Sequence, residues 1–110
     1  MAIALIRSTE NGDLFSVEYA AGLSTVDLTI SVAGRNLQIR SGTLLISGAA
    51  TVQLLEETTA TPISGKMELP SAAQWSIESD RAYATTTVGK KIQISRSASV
   101  AISGEVLVSQ

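Results

Sequence analysis

The side chains that most often carry chemistry are thinly represented in this chain. It contains no cysteine and no histidine. That removes thiolate nucleophiles, thiolate metal sites, the commonest general base and the commonest metal ligand. A serine nucleophile would then depend on a lysine base. Lys66, Lys90 and Lys91 all fall in turn-like or strand-edge contexts. The Ser-Gly pairs lack the Gly-x-Ser-x-Gly frame of a nucleophile elbow and read as turn serines. Among carboxylates, Glu56 and Glu57 are adjacent, but neighbours on a strand point to opposite faces. Glu78 and Asp80 can share a face, and with Arg81 they read as a solvated, salt-bridged loop. Glu10-Asn11-Gly12-Asp13 carries oxygens of the kind calcium takes, yet it is also a plain hairpin turn, which is the reading adopted. Val88-Gly89-Lys90-Lys91 has the Gly-Lys of a phosphate loop. Ala84 stands where that loop needs its first glycine, and Lys91 where it needs Ser or Thr. The expectation is a protein that is not an enzyme and that uses no cofactor or metal.

Composition narrows the partners. The net charge is −2, charged residues make up 16% of the chain, and the eight Lys and Arg are scattered without interleaved aromatics. Neither nucleic acid nor an anionic membrane is expected to bind such a surface. Met1 to Ile6 is apolar but too short for the core of a signal peptide, and Arg7 and Glu10 follow at once. No run approaches the roughly 20 apolar residues of a membrane span. A chain neither exported by a cleavable signal nor held in a membrane is therefore expected. Only four aromatics occur: Phe15, Tyr19, Trp75 and Tyr83. Trp75 is the one strong candidate for an aromatic contact, and a lone tryptophan belongs as readily to a core. No small-molecule substrate is suggested. Ser and Thr together supply 26 of the 110 residues, which suits turns and neutral strand faces.

The elements that would carry these side chains follow from period-two alternation. In Thr25–Val32, Val26, Leu28, Ile30 and Val32 are predicted to face one way and Thr25, Asp27, Thr29 and Ser31 the other. Ala33 to Asn36 reads as a turn. The inward set changes phase between Leu37 and Ile39 on one side and Leu44 and Ile46 on the other, so a bulge or bend is expected near Ser41-Gly42. Further strands are expected at Ala2–Arg7, Leu14–Ala20, Thr51–Glu56, Ile63–Leu69, Gln74–Ser79, Lys91–Ser95 and Ser99–Val108. The last is expected to split or bulge at Ser103-Gly104. Helix is limited to one short turn near Ser71-Ala72-Ala73. Ile-Ser-Gly recurs at Ile46, Ile63 and Ile102 at unequal spacings, as glycine turns after apolar residues do. The sum is an all-β single domain over residues 1–110, whose eight or nine short strands point to a β-sandwich or a barrel, with an antiparallel β-sandwich as the expectation adopted. Residues 1–8 form either an N-terminal arm or its first strand.

From Val32 to Gln110 the chain resembles a family of small jelly-roll β-sandwich proteins that decorate the heads of tailed bacteriophages. The resemblance is carried by Ser31-Val32-Ala33-Gly34-Arg35-Asn36-Leu37-Gln38-Ile39, where a Val-Ala-Gly-basic turn leads into an alternating strand. Leu44 to Leu54 resembles the family's hairpin of small residues before Thr-Val. Thr61 to Leu69 is similar to its segment before a Pro- and Gly-rich loop. Ala84 to Ile94 and Ser97 to Val106 are similar to its last two strands. Pro70-Ser71-Ala72-Ala73 lacks that loop's glycines, and Met1–Gly22 matches no particular family feature.

The resemblance implies a capsid decoration or cement protein on the outer surface of the virion head, made in the host cytoplasm. Its partner would be the major capsid protein, with self-association as a dimer or trimer supplying avidity. The alternative is a receptor- or glycan-binding module of a tail fibre or other virion component. The candidate contact residues are Ala2, Ile3, Leu5 and Ile6, which could add a strand to a neighbouring sheet edge, together with Trp75. An ordinary first strand is the competing reading of residues 2–6.

Overall fold

Alternating apolar residues can hide one face only by pairing into a sheet and stacking on a second one. In the computed structural model, which describes residues 3–58, 60–78 and 83–109, eleven strand segments do this and no helix occurs among the described residues. They are β1 (Ile3–Thr9), β2 (Gly12–Gly22), β3 (Val26–Asp27), β4 (Gln38–Ile46), β5 (Ala50–Glu56) and β6 (Thr61–Pro62). After them come β7 (Met67–Leu69), β8 (Ala73–Ile77), β9 (Tyr83–Ala84), β10 (Ile92–Arg96) and β11 (Val100–Ser109).

All pairings are antiparallel. One sheet runs β1-β2-β11-β4-β8, with β9 also on β4; the other runs β3-β10-β5-β6, with β7 also on β5. Because β6 and β7 share one flank of β5, and β8 and β9 one flank of β4, the segments fill nine strand places. From β2 onward the chain crosses from sheet to sheet, apart from the runs β5–β6–β7 and β8–β9 that stay within one, and leaves β2-β11-β4-β8 facing β3-β10-β5-β7. That order is the double Greek key of a jelly roll, with β1 added at the edge.

The core lies between the sheets. Val52, Leu54, Ile92 and Ile94 from one side meet Ile39, Leu44, Ile46, Ile102 and Val106 from the other, all essentially inaccessible. Each such side chain contributes about 1.5–3 kcal/mol by leaving water. One two-stranded ribbon folds over to make much of this core. Ile46 faces Ile102 in one sheet, and Val52 faces Arg96 in the other, with no slip in register between them. Two serines keep the ribbon paired where it turns the corner. The Ser47 N–H donates to Ala101 O (3.0 Å) and Ser47 Oγ accepts the Ala101 N–H (2.7 Å). Ser97 makes the matching pair with Thr51, at 3.1 and 2.7 Å.

The irregularity expected near Ser41-Gly42 is present, and several other expectations are corrected. The phase change in β4 is absorbed at Arg40, which is left over when pairing with β11 passes from Ile39–Val108 to Ser41–Leu107. The strand bends there without breaking. β11 is unbroken at Ser103-Gly104, pairing in constant register with β2 from Ile102 to Val108. The glycine is needed for another reason: its φ is +141°, and a side chain there would overlap the Thr43 carbonyl. Ala73 begins a strand, so the helical turn at Ser71–Ala73 does not form. The expected strand Thr25–Val32 shrinks to Val26–Asp27. Leu28 and Thr29 are both buried while Ile30 is exposed, because Thr29 Oγ1 takes the Ile92 N–H (3.0 Å) that a strand carbonyl would otherwise accept. Ile63–Leu69 is interrupted in the same way. Ser64 Oγ accepts the Leu54 N–H at 2.9 Å, and only Met67–Leu69 resumes the ladder on β5.

Candidate protein-interaction surface

The five candidate contact residues do not converge. Ala2 lies outside the described residues. Ile3 is buried and paired with Val17, and Trp75 is also buried, its ring edge-on to Tyr83 with centroids 6.4 Å apart. Neither offers a partner much surface while the domain is folded, and Trp75 takes its place in the core. Leu5 and Ile6 are on the outside, 56% and 47% exposed. Residues 3–9 are thus the first strand of the sheet and at the same time its edge.

Two consecutive apolar residues face water here, Leu5 on an edge strand and Ile6 at a local irregularity. Leu5 pairs with Phe15 and Arg7 with Leu14, so Ile6 is an extra residue in β1. A bulge of this kind turns a side chain that alternation would have aimed elsewhere. It also interrupts the free edge, which is one way natural sheets limit unwanted pairing. Leu5 and Ile6 therefore form a short apolar step on the rim of the larger sheet.

Beside this step lies the outer face of the same sheet. Its register aligns Ala4, Ser16, Glu105, Thr43 and Ser76 in one row across β1, β2, β11, β4 and β8. The next row is formed by Glu18, Ser103, Leu45 and Gln74. Leu45 is 49% exposed, and the only charges in the two rows are Glu18 and Glu105. Leu45 was readable in the sequence, since it has the opposite parity to Leu44 and Ile46 and must point away from the core.

The smaller sheet presents a different face, whose charges engage one another. Lys91 Nζ lies 2.8 Å from Asp27 Oδ2 and 3.9 Å from Glu57 Oε2. Gln93 Nε2 donates to the other Asp27 oxygen at 2.8 Å, and Tyr19 OH donates to Asp27 O at 2.6 Å. The Asp27 hydrogen bond raises the Lys91 pKa above its usual value, against the opposing effect of burial. Tyr19 is raised as well, first by burial and then by the charge of Asp27.

Two charged side chains point inward, at opposite ends of the smaller sheet. Glu56 closes β5 and is buried. Its Oε1 accepts the N–H groups of Thr86 (2.7 Å) and Thr87 (2.8 Å), which pins the loop between β9 and β10. Thr85 fastens the same loop to Leu37 through a backbone bond of 2.9 Å and an Oγ1 bond of 3.0 Å. Arg96 closes β10 at the other end. Its guanidinium donates to the carbonyls of Ser24 (2.9 Å), Ala20 (3.1 Å) and Val100 (2.8 Å) and to Ser24 Oγ (3.2 Å). Among the described residues no buried side-chain nitrogen or oxygen lacks a partner.

These groups act on the backbone of their own chain. Glu56 and Glu57 do diverge to opposite faces, one buried and one paired with Lys91. Glu10 and Asn11 form the two-residue tip of the β1–β2 hairpin. No cluster of three or more metal-ligating side chains occurs among the described residues. The burial of Glu56 and Arg96 was not anticipated from the sequence. Its signal was present, because each falls in the inward phase of its strand, after Val52 and Leu54 or after Ile92 and Ile94. No protein-family model matches the chain, and no curated protein matches it.

Proposed function

We propose that this chain is a protein-binding module of a virus particle, a decoration protein that docks on the outside of an assembled bacteriophage head. The observation that carries the reading is the free edge of β1, where Leu5 and Ile6 stand exposed beside a sheet face whose rows through Ala4 and Glu18 carry only Glu18 and Glu105 as charges. An edge strand with apolar residues suits strand addition or shallow apolar docking on another protein. The polar residues of the interior and of the smaller sheet are occupied in holding the fold, as a structural module requires. The ordered sequence resemblance from Val32 onward supports the phage-head assignment.

The mechanism is mass action. A protein that binds the assembled lattice and not its free subunits stabilises that lattice by RT ln(1 + [L]/Kd), about 2.7 kcal/mol per site at a hundredfold excess over Kd. Self-association would multiply weak contacts into avidity.

The first test is the copy number of this chain in purified particles relative to the major capsid protein. A simple ratio is expected, whereas absence from the particle overturns the assignment. The contact is tested with Leu5→Lys and Ile6→Lys. Both sites are solvent-exposed, so stability should change by no more than about 0.5 kcal/mol, while binding to purified heads is lost. Deleting residues 1–6 is a poorer test, because it also removes buried Ile3.

A further inference from the structure

We infer that Asn11 is a site of spontaneous covalent modification, in which the backbone nitrogen of Gly12 displaces the side-chain amide and water opens the resulting ring. Thr9 pairs with Gly12, so Glu10 and Asn11 alone form the hairpin tip. Asn11 is exposed. Its backbone N–H donates to Thr9 Oγ1 at 3.2 Å, and its side-chain amide has no hydrogen bond among the described residues. The attacking nitrogen belongs to a residue with no side chain to hinder its approach. The fold also keeps that residue bare. Gly12 has φ +135°, and a Cβ placed on it would lie 2.8 Å from the Val108 carbonyl carbon, so no other residue fits.

The chain contains only one other asparagine, Asn36, and it serves as an internal control. Its Nδ2 donates to Thr85 O at 2.9 Å. The residue after it is buried Leu37, whose nitrogen is engaged with Thr85 Oγ1 at 3.0 Å. Both the leaving amide and the attacking nitrogen are thus engaged by Thr85 at Asn36, whereas the Asn11 amide has no such hydrogen bond among the described residues.

The step balances without any reagent but water. A bond forms from the Gly12 nitrogen to Asn11 Cγ, the Cγ–Nδ2 bond breaks, and the Gly12 proton departs with Nδ2 as ammonia. Water then opens the succinimide. Opening at Cγ yields aspartate, and opening at the main-chain carbonyl yields isoaspartate, whose backbone is one methylene longer. Either product places a new carboxylate between Glu10 and Asp13, in a cleft also lined by Arg40. The longer backbone cannot close a two-residue tip in the same register, so the Thr9–Gly12 and Ser8–Asp13 pairs that hold β1 should loosen.

The experiment is timed incubation of the folded protein in mildly acidic and mildly alkaline buffer, followed by trypsin and mass spectrometry. Trypsin separates Ser8–Arg35, which contains Asn11, from Asn36–Arg40. The expected result is progressive amide-to-acid exchange in Ser8–Arg35, faster in alkali, with isoaspartate detected by methyltransferase labelling. Asn36–Arg40 should stay intact, and Asn11→Gln should abolish the exchange. Equal persistence of the amide in both peptides would overturn the inference. So would conversion of Ser8–Arg35 that continues in Asn11→Gln.

Discussion

At one end of the sandwich the chain crosses between sheets as a paired ribbon, and at the other it crosses through loops that depend on buried side chains. Where Ser47 and Ser97 stand, the corner is short, built from small residues, and held by four hydrogen bonds that continue the strand register. Arg96 sits beneath this end and ties in the connection from β2 to β3. At the far end the β9–β10 loop hangs on Glu56, Thr85 and Asn36. The ribbon distributes its closure over partners that the sheets already align. The loop end concentrates much of its closure in one buried carboxylate. The two ends should therefore fail differently under substitution.

The largest effect is expected at Glu56. Replacing it with alanine leaves the Thr86 and Thr87 N–H groups without their charged acceptor, at a cost of about 3–5 kcal/mol. Urea unfolding measures the loss, and amide exchange should rise first in Thr85–Val88. If Ser97–Ala101 opened equally early, the contrast between the ends would be wrong. Arg96→Met should follow, at about 2–3 kcal/mol, because the Ala20, Ser24 and Val100 carbonyls lose a shared donor. Its damage should appear at the β2–β3 connection and spare Thr86.

Ser47→Ala and Ser97→Ala should each cost only about 0.5–1 kcal/mol, since water can reach these bonds and the ribbon pairing persists. A double variant far more damaging than the sum would show that the two serines act as one latch. The smallest effect is electrostatic. Lys91 and Tyr19 both have raised pKa values, so the folded state holds their protons more tightly than the unfolded chain does. Their contribution is complete below the ordinary values, 10.5 for Lys91 and 10.0 for Tyr19, and it is lost as pH rises through the higher folded values. The Lys91 pair is partly exposed, which keeps that contribution small. Alkaline titration should shift the methyl signals of Leu28 and Ile92, near Asp27 and Lys91, before those of Ile46 and Ile102 at the corner.

The resemblance to a jelly roll was carried by turn residues and alternation in order along the chain, and the strand order agrees with it. The candidate contact was less readable. Four apolar residues in a row, Ile3 to Ile6, look alike in a sequence. Pairing with β2 buries the first, whereas Leu5 and Ile6 lie exposed on the edge strand, Ile6 as the extra residue of the bulge. Trp75 likewise could have lain on either side, and its seat on β8 opposite Leu44 put it in the core.

Much about this protein follows from local geometry. A strand repeats every two residues, so alternation alone identifies most inward positions, including those of Glu56 and Arg96. The lack of cysteine and histidine narrows the available chemistry before any folding, and the hairpin turn at Glu10-Asn11-Gly12-Asp13 follows from its own residues. Folding decided which strands became neighbours, where Ile6 bulged, and how the hydroxyls were used. Thr29, Thr85 and Ser97 each accept a backbone N–H from 63, 48 and 46 residues away. A serine or threonine in a sequence reads as a turn or a surface residue. It stands in for a missing strand carbonyl only when a distant chain brings an unpaired N–H beside it, and local pattern holds no record of that meeting.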